Sequence, residues 1–222
     1  MNRYLIPVQG ERLPRRVAHL VVGLVLFGVG IGLMLQSRLG VPPWDVLHQG
    51  LSRGFGLTVG VWSIIVSVLV LVLWLPLRER YGLGTLLNAV IIGLVLDLTA
   101  IVVPEATTTP TAWVMLLGGI TLIGAASGLY IGANLGPGPR DGLMTGIAKR
   151  GPSIRLTRAL IEISVLTIGW LLGGTFGIGT IVFALAIGPL VQFFLPRLII
   201  SPEVHVDPGN TRHDEAQRLD VG

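Results

Sequence analysis

Leu39-Gly40-Val41-Pro42-Pro43-Trp44-Asp45-Val46-Leu47 returns in outline as Leu135-Gly136-Pro137-Gly138-Pro139-Arg140-Asp141-Gly142-Leu143. The agreement continues in order, with one residue of slippage. Gly50 falls on Gly146, Gly82-Leu83-Gly84-Thr85 on Gly177-Ile178-Gly179-Thr180, and Ala89 and Ile92-Gly93 on Ala184 and Ile187-Gly188. Upstream, Gly23, Gly28 and Gly32 keep step with Gly119, Gly124 and Gly128. Glycine is abundant enough for any single match to arise by chance, but collinear agreement over three segments points to an internal duplication.

Around these motifs the chain is 51% hydrophobic and 13% charged, with a mean hydropathy of +0.77, too apolar for a soluble domain. Six runs approach the roughly 20 apolar residues needed to cross a hydrocarbon layer of about 30 Å. They lie near Ala18–Gln36, Leu57–Leu77, Leu83–Val103, Ala112–Ala133, Ile154–Gly173 and Ile178–Ile200. Helix is expected in each, because backbone facing lipid must hydrogen-bond within its own segment. Two connectors, Leu39 to Gly56 and Leu135 to Ser153, are long, open with prolines and continue into short semi-apolar helices.

All the Lys and Arg except Arg38 and Arg53 fall on one side of a six-span arrangement, so both termini are expected in the cytoplasm. Each repeat holds three spans, and the second therefore enters from the opposite face. The expected fold is an all-α integral membrane protein of six transmembrane helices, built as two inverted three-helix repeats. Each repeat carries a proline-led broken or re-entrant short helix after its first span. The divisions are a basic cytoplasmic N-terminus (1–17), repeat 1 (18–103), an external loop (104–111), repeat 2 (112–200) and a disordered cytoplasmic tail (201–222).

Several classes of function drop out. Without cysteine there are no disulfides, thiolate metal sites or cysteine nucleophiles. The basic residues form no clustered domain with stacking aromatics, so nucleic acid is not an expected partner. Gly177-Ile178-Gly179-Thr180 lacks the preceding strand and the Lys-Ser or Lys-Thr of a phosphate loop. His19, His48, His205 and His213 show no metal-ligand spacing, and Trp62, Trp74, Trp113 and Trp170 read as interface anchors. No metal, cofactor or enzymatic activity is expected. The first apolar run is of spanning length with no small-residue cleavage site after it, so it reads as a retained helix.

The polar residues inside this apolar chain are the candidates for a site. Asp45 and Asp141 follow prolines at helix starts, where a carboxylate can cap free backbone N–H groups. Alternatively, they face one polar cavity with Arg140 and its counterpart Trp44. Helix N-termini there favour an anion and the aspartates a cation or proton, so the ligand's sign stays open. Glu162 follows Arg158 by four residues and Arg155 by seven, which predicts an ion pair, either functional or structural. Asp97 has no charged neighbour in sequence; it is a proton-coupling carboxylate or an interfacial one. Asn88, Asn134 and Gln192 line a cavity or bridge helices. Gly28, Gly32, Gly124 and Gly128 are expected to let helices pack closely.

The Leu-Gly-x-x-Pro-x-Asp motifs, Arg158-x-x-x-Glu162, the stretch Leu172 to Thr180 and Gly188-Pro189 together resemble the YczE-type bacterial membrane proteins, related to the YitT group. The likeness spans Ala18 to Ile200 and implies a multi-pass protein of the bacterial cytoplasmic membrane, without implying a substrate. Inverted repeats with broken helices are an architecture of secondary transporters. The leading expectation is therefore transport of a small solute, ion or proton by alternating access, the two repeats rocking about a site between the connectors. The rival is a non-transporting accessory or scaffold that binds lipid or partner proteins. The bilayer is the one definite partner, and self-association is left open.

Overall fold

The computed structural model describes residues 12–200, so the basic residue Arg3, the tail 201–222, His205 and His213 lie outside the described residues. Among the described residues eight helices follow one another: α1 (Leu13–Ser37), α2 (Pro43–Phe55), α3 (Val59–Leu77), α4 (Leu83–Val102), α5 (Thr109–Gly132), α6 (Pro139–Ala148), α7 (Ile154–Leu171) and α8 (Ile178–Leu198). Five of them, α1, α3, α4, α5 and α8, are long and apolar enough to cross a membrane. The remaining expected span, α7, carries Arg155, Arg158 and Glu162 within 18 residues and is the most charged of the longer helices. The expected boundaries shift a little. α1 begins inside the basic N-terminal segment, at Leu13, because Pro14 suits a first helical turn.

Local chemistry explains where helices start and stop. Thr58 Oγ1 accepts from Val61 N at the head of α3, and Ser153 Oγ accepts from Leu156 N at the head of α7. The first helix of each half ends on a left-handed residue, Arg38 at φ 59° and Asn134 at φ 53°. Arg16, buried at the head of α1, donates from Nε to Ala133 O (2.8 Å) and from a terminal nitrogen to Asn134 O (2.7 Å). A cation is thereby placed on the carbonyl end of α5, where the helix dipole favours it.

The repeated motifs hold one another across the two halves. Gly179 N donates to Leu39 O and Gly84 N to Leu135 O, both at 2.8 Å. Thr180 Oγ1 donates to Val41 O (2.9 Å) and Thr85 Oγ1 to Pro137 O (2.7 Å). Each Leu-Gly segment is therefore clasped by the Gly-x-Gly-Thr of the other half. Gly40 (φ 126°) and Gly136 (φ 115°) sit in these clasps, and a Cβ on either would press on the clasping threonine hydroxyl at 2.8 and 2.9 Å.

Packing sorts the helices into two groups that cut across the sequence halves. α1 packs on α5 and α4, and α5 on α8; α2 packs on α7 and α3, and α6 on α3 and α7, while extensive packing of α3 on α4 joins the two groups. Gly23 lies against Ala126 and Tyr130 while Gly30 lies against Gly119, so α1 and α5 run antiparallel. Gly28 and Gly32 meet Val95 and Thr99 of α4, and Gly124 and Gly128 meet Leu190 and Phe194 of α8. Small residues permit these close approaches where apolar burial drives no association in lipid. Leu20, Leu24, Ile31, Leu116 and Ile123 form the core of the first group.

The second group closes around Trp74. Its ring is fully buried, covers Gly142, stacks on Tyr81 and donates from Nε1 to Pro139 O (3.1 Å). Trp74 is therefore a core residue and no interface anchor. α2 and α6 are each held by a helix of the opposite half, α2 by α7 and α6 by α3.

Candidate functional site

A cavity of about 510 Å³ lies between the two groups. Pro42 to Asp45 of the first connector and Gly138, Arg140 and Asp141 of the second both reach it, so the paired motifs converge. Neither aspartate serves as a helix cap. Asp45 Oδ1 lies 3.0 Å from His48 Nδ1 and 3.7 Å from an Arg140 guanidinium nitrogen. Asp141 Oδ2 accepts from the Tyr130 hydroxyl at 3.0 Å. Both carboxylates spend their side-chain hydrogen bonds on other side chains, which corrects the reading of them as mere caps.

Asp45 is 1% exposed and His48 wholly buried, so an ionised carboxylate here depends on its partners. Arg140 supplies the countercharge and also lies over the Trp44 ring, 5.1 Å from its centroid. Three buried polar atoms of α2 have no protein partner: Trp44 Nε1, Asp45 Oδ2 and His48 Nε2. Buried polar groups are normally satisfied, so three such atoms on one short helix mark it as chemically unfinished.

Arg158 and Glu162 also line the cavity and pair at 2.9 Å along α7. The matched caps of α3 and α7 set their register: counting from Thr58 and from Ser153, Ser63 takes the place of Arg158, and Ser67 that of Glu162. Both serines line the same cavity. The pattern recurs elsewhere, with Trp44 opposite Arg140, Asp45 opposite Asp141, and Asn88 of α4 opposite Phe183 of α8. The cavity thus has matching positions from both halves, filled with unequal chemistry.

The charges all come from one side. Asp45, Arg140, Asp141, Arg158 and Glu162 belong to α2, α6 and α7, whereas α1, α4, α5 and α8 present Phe27, Ile92, Ile123, Phe183 and Ile187, with Asn88, Ser127, Tyr130 and Gln192 among them.

Two expected site residues stand elsewhere. Asp97 accepts from Gly60 N (2.8 Å) and from Thr58 Oγ1, so it ties α4 to the head of α3. Asn134 closes the end of α5, with its side-chain amide nitrogen 3.3 Å from Ile200 O. Conversely, sequence reading passed over His48, Ser63, Ser67, Ser127 and Tyr130. His48 carried one usable signal, its position three residues after Asp45 on the same helical face.

The halves also differ in how they close. Gly60 and Gly93 bring the α3 and α4 backbones together, and a methyl on Gly60 would collide with the Gly93 carbonyl and with Asp97. At the matching place α7 and α8 make no comparable contact. A Cβ on Gly188, the counterpart of Gly93, would meet nothing within 4 Å. Gly188, Val191 and Gln192 of α8 and Arg158 and Glu162 of α7 line the cavity beside this gap.

The chain has close relatives. It is 41% identical over 191 residues to an uncharacterized protein of Haemophilus influenzae, a match covering 86% of this chain and 88% of the relative. It is 36% identical over 192 residues to the Bacillus subtilis uncharacterized membrane protein YczE, covering 85% and 89%. The B. subtilis uncharacterized protein YyaS is 32% identical over 182 residues, covering 79% of this chain and 90% of that one. No solved structure matches. The profile of a family of unknown function, DUF6198, matches residues 14–196, and with its apolar helices and YczE kinship the chain belongs to this family of membrane proteins.

Proposed function

We propose that the protein is a secondary transporter that moves a small solute or ion through the central cavity by alternating access. The observation that carries this reading is the asymmetric closure around a cavity furnished by both halves: α3 and α4 are sealed at Gly60 and Gly93, while α7 and α8 stand apart at Gly188. In this reading α7 is a sixth crossing, its charges turned to the cavity and its ends, and the halves are inverted repeats. The antiparallel course of α1 and α5 supports that inversion. The short helices α2 and α6 are re-entrant from opposite faces, both termini are cytoplasmic, and the bilayer is the bacterial cytoplasmic membrane. Kinship with the YitT group is part of the same proposal.

Related halves of an inverted repeat can exchange conformations, so the second state has α7 sealed on α8 and α3 parted from α4. The moving unit is α2, α3, α6 and α7, which carries every charge of the cavity. The group α1, α4, α5 and α8 is the frame.

Reconstitution into proteoliposomes, followed by a flux screen across metabolites and ions with and without a pH gradient, tests the proposal. Protein-dependent flux abolished by Asp45→Asn in folded protein is expected. A rival accessory role instead predicts activity that survives substitution of Asp45, Asp141 and Glu162 whenever the protein folds. An empty screen counts against transport.

A further inference from the structure

We infer that the cavity is a site for an organic monocation, a protonated amine on an apolar body, held at Asp45. This deepens the transport reading by naming a ligand class for the same cavity.

Counting His48 as neutral, the cavity wall holds the carboxylates of Asp45, Asp141 and Glu162 against the guanidinium groups of Arg140 and Arg158. One negative charge is in excess. The cations are also the committed partners: Arg158 is paired with Glu162 at 2.9 Å, and Arg140 lies 3.7 Å from Asp45 and over Trp44. An anion drawing Arg140 away would leave the 1%-exposed Asp45 carboxylate without its countercharge, which is costly.

Of the unpartnered atoms on cavity-lining residues of α2, Trp44 Nε1 is a neutral donor and Asp45 Oδ2 an acceptor on a charged group. Asp45 is 1% exposed, lines the cavity and leaves Oδ2 without a partner, its other oxygen being engaged by His48 and Arg140. An ammonium N–H group satisfies that oxygen once the side chains covering it part, and its charge offsets the excess, which falls on Asp141 because Arg140 and Arg158 pair with Asp45 and Glu162. Ser63 and Ser67 stand on the same wall, able to accept further ammonium protons.

The opposite wall selects the rest of the ligand. Phe27, Ile92, Ile123, Phe183, Ile187 and Val191 give it an apolar surface. A hydrated metal ion would leave that surface against water and would need several converging oxygens. An amine with a ring or branched chain covers it. The volume, about 510 Å³, falls in the ordinary range of small-molecule sites.

The test uses the full-length protein in lipid nanodiscs at neutral pH and three probes of one shape, titrated by calorimetry: 2-phenylethylammonium, 2-phenylethanol and 3-phenylpropionate. The cation is expected to bind at least tenfold more tightly than the alcohol, with no heat from the propionate. Asp45→Asn is expected to weaken the cation at least tenfold, and Asp97→Asn, outside the cavity, to leave it unchanged. Equal or tighter binding of the alcohol or propionate, or no binding of the cation up to millimolar concentration, overturns the inference. So does full affinity in folded Asp45→Asn protein, and if that variant does not fold, the probe series on the unmodified protein decides alone. Cation binding without cation flux would contradict transport and keep the ligand class. Protein-dependent flux of the propionate, with no cation binding, would do the reverse.

Discussion

α3 with α4 and α7 with α8 occupy matching positions of the chain, yet one pair is sealed and the other is not. In the first, Gly60 and Gly93 let two backbones touch, and Asp97 adds hydrogen bonds from Gly60 N and Thr58 Oγ1. In the second, Gly60 is replaced by Arg155 and Asp97 by Gln192, and Gly188 faces open space. The clasps that join the halves, by contrast, are nearly identical, with backbone bonds of 2.8 Å on both sides. The recurring motifs keep the joints alike while the flanking interfaces differ. That combination suits a molecule whose two ends take turns in closing.

Substitutions that treat the two sides alike should therefore have unlike effects. The largest contrast is expected at the glycines. Gly93→Val forces a branched side chain against Gly60 O and Ile64 and should cost about 3 kcal/mol or more, the range of a strongly overpacked contact. Gly188→Val meets nothing and should stay within about 0.5 kcal/mol, both read by thermal unfolding in detergent.

The buried charges come next. Arg140→Gln strips the countercharge from a carboxylate that is 1% exposed, and a loss of about 3 kcal/mol is expected. Arg158→Gln, whose side chain is 58% exposed beside the gap, should cost clearly less. Comparable losses would mean that the two arginines are held equally, against the asymmetry described.

Smaller again are the clasps, where Thr85→Ala and Thr180→Ala each remove one hydroxyl bond. About 1 kcal/mol is expected from each, and the two should agree closely because the bonds match. Asp97→Asn should lower stability by a similar amount and loosen the α3–α4 seal without abolishing flux, since the carboxylate binds α3 and not the cavity. Loss of flux in stable Asp97→Asn protein would restore the proton-coupling reading of this residue.

Much of this organisation was legible in the chain. Apolar run lengths and their breaks located α3, α4, α7 and α8 to within two residues at each end, the proline openings marked the starts of α2 and α6, and Asp45, Asp141, Arg140, Trp44, Arg158, Glu162 and Asn88 all meet in one cavity. What a motif is for was harder to read. Gly-x-Gly-Thr reads in sequence only as an incomplete phosphate loop, yet it is half of a clasp whose partner lies in the other half of the chain. Asp97 was unreadable for the same reason, its donors being on α3. Ser63 and Ser67 carried no signal beside Val and Ile until the caps of α3 and α7 fixed the register that sets them opposite Arg158 and Glu162. The regrouping of helices across the repeats depends on tertiary packing alone, which hydropathy does not encode.

Exchange of the two seals can be measured directly, because the protein has no native cysteine. Ile64 packs on Gly93 in the closed pair, and the matching residues in the open pair are Ala159 and Gly188. Double-cysteine variants at each pair, alone and combined, are oxidised in proteoliposomes under flux conditions. The account predicts that Ile64→Cys with Gly93→Cys and Ala159→Cys with Gly188→Cys both cross-link, never in the same molecule, and that either cross-link stops flux. Both bonds in one molecule, or a pair at Ala159 and Gly188 that never forms during flux, would contradict it.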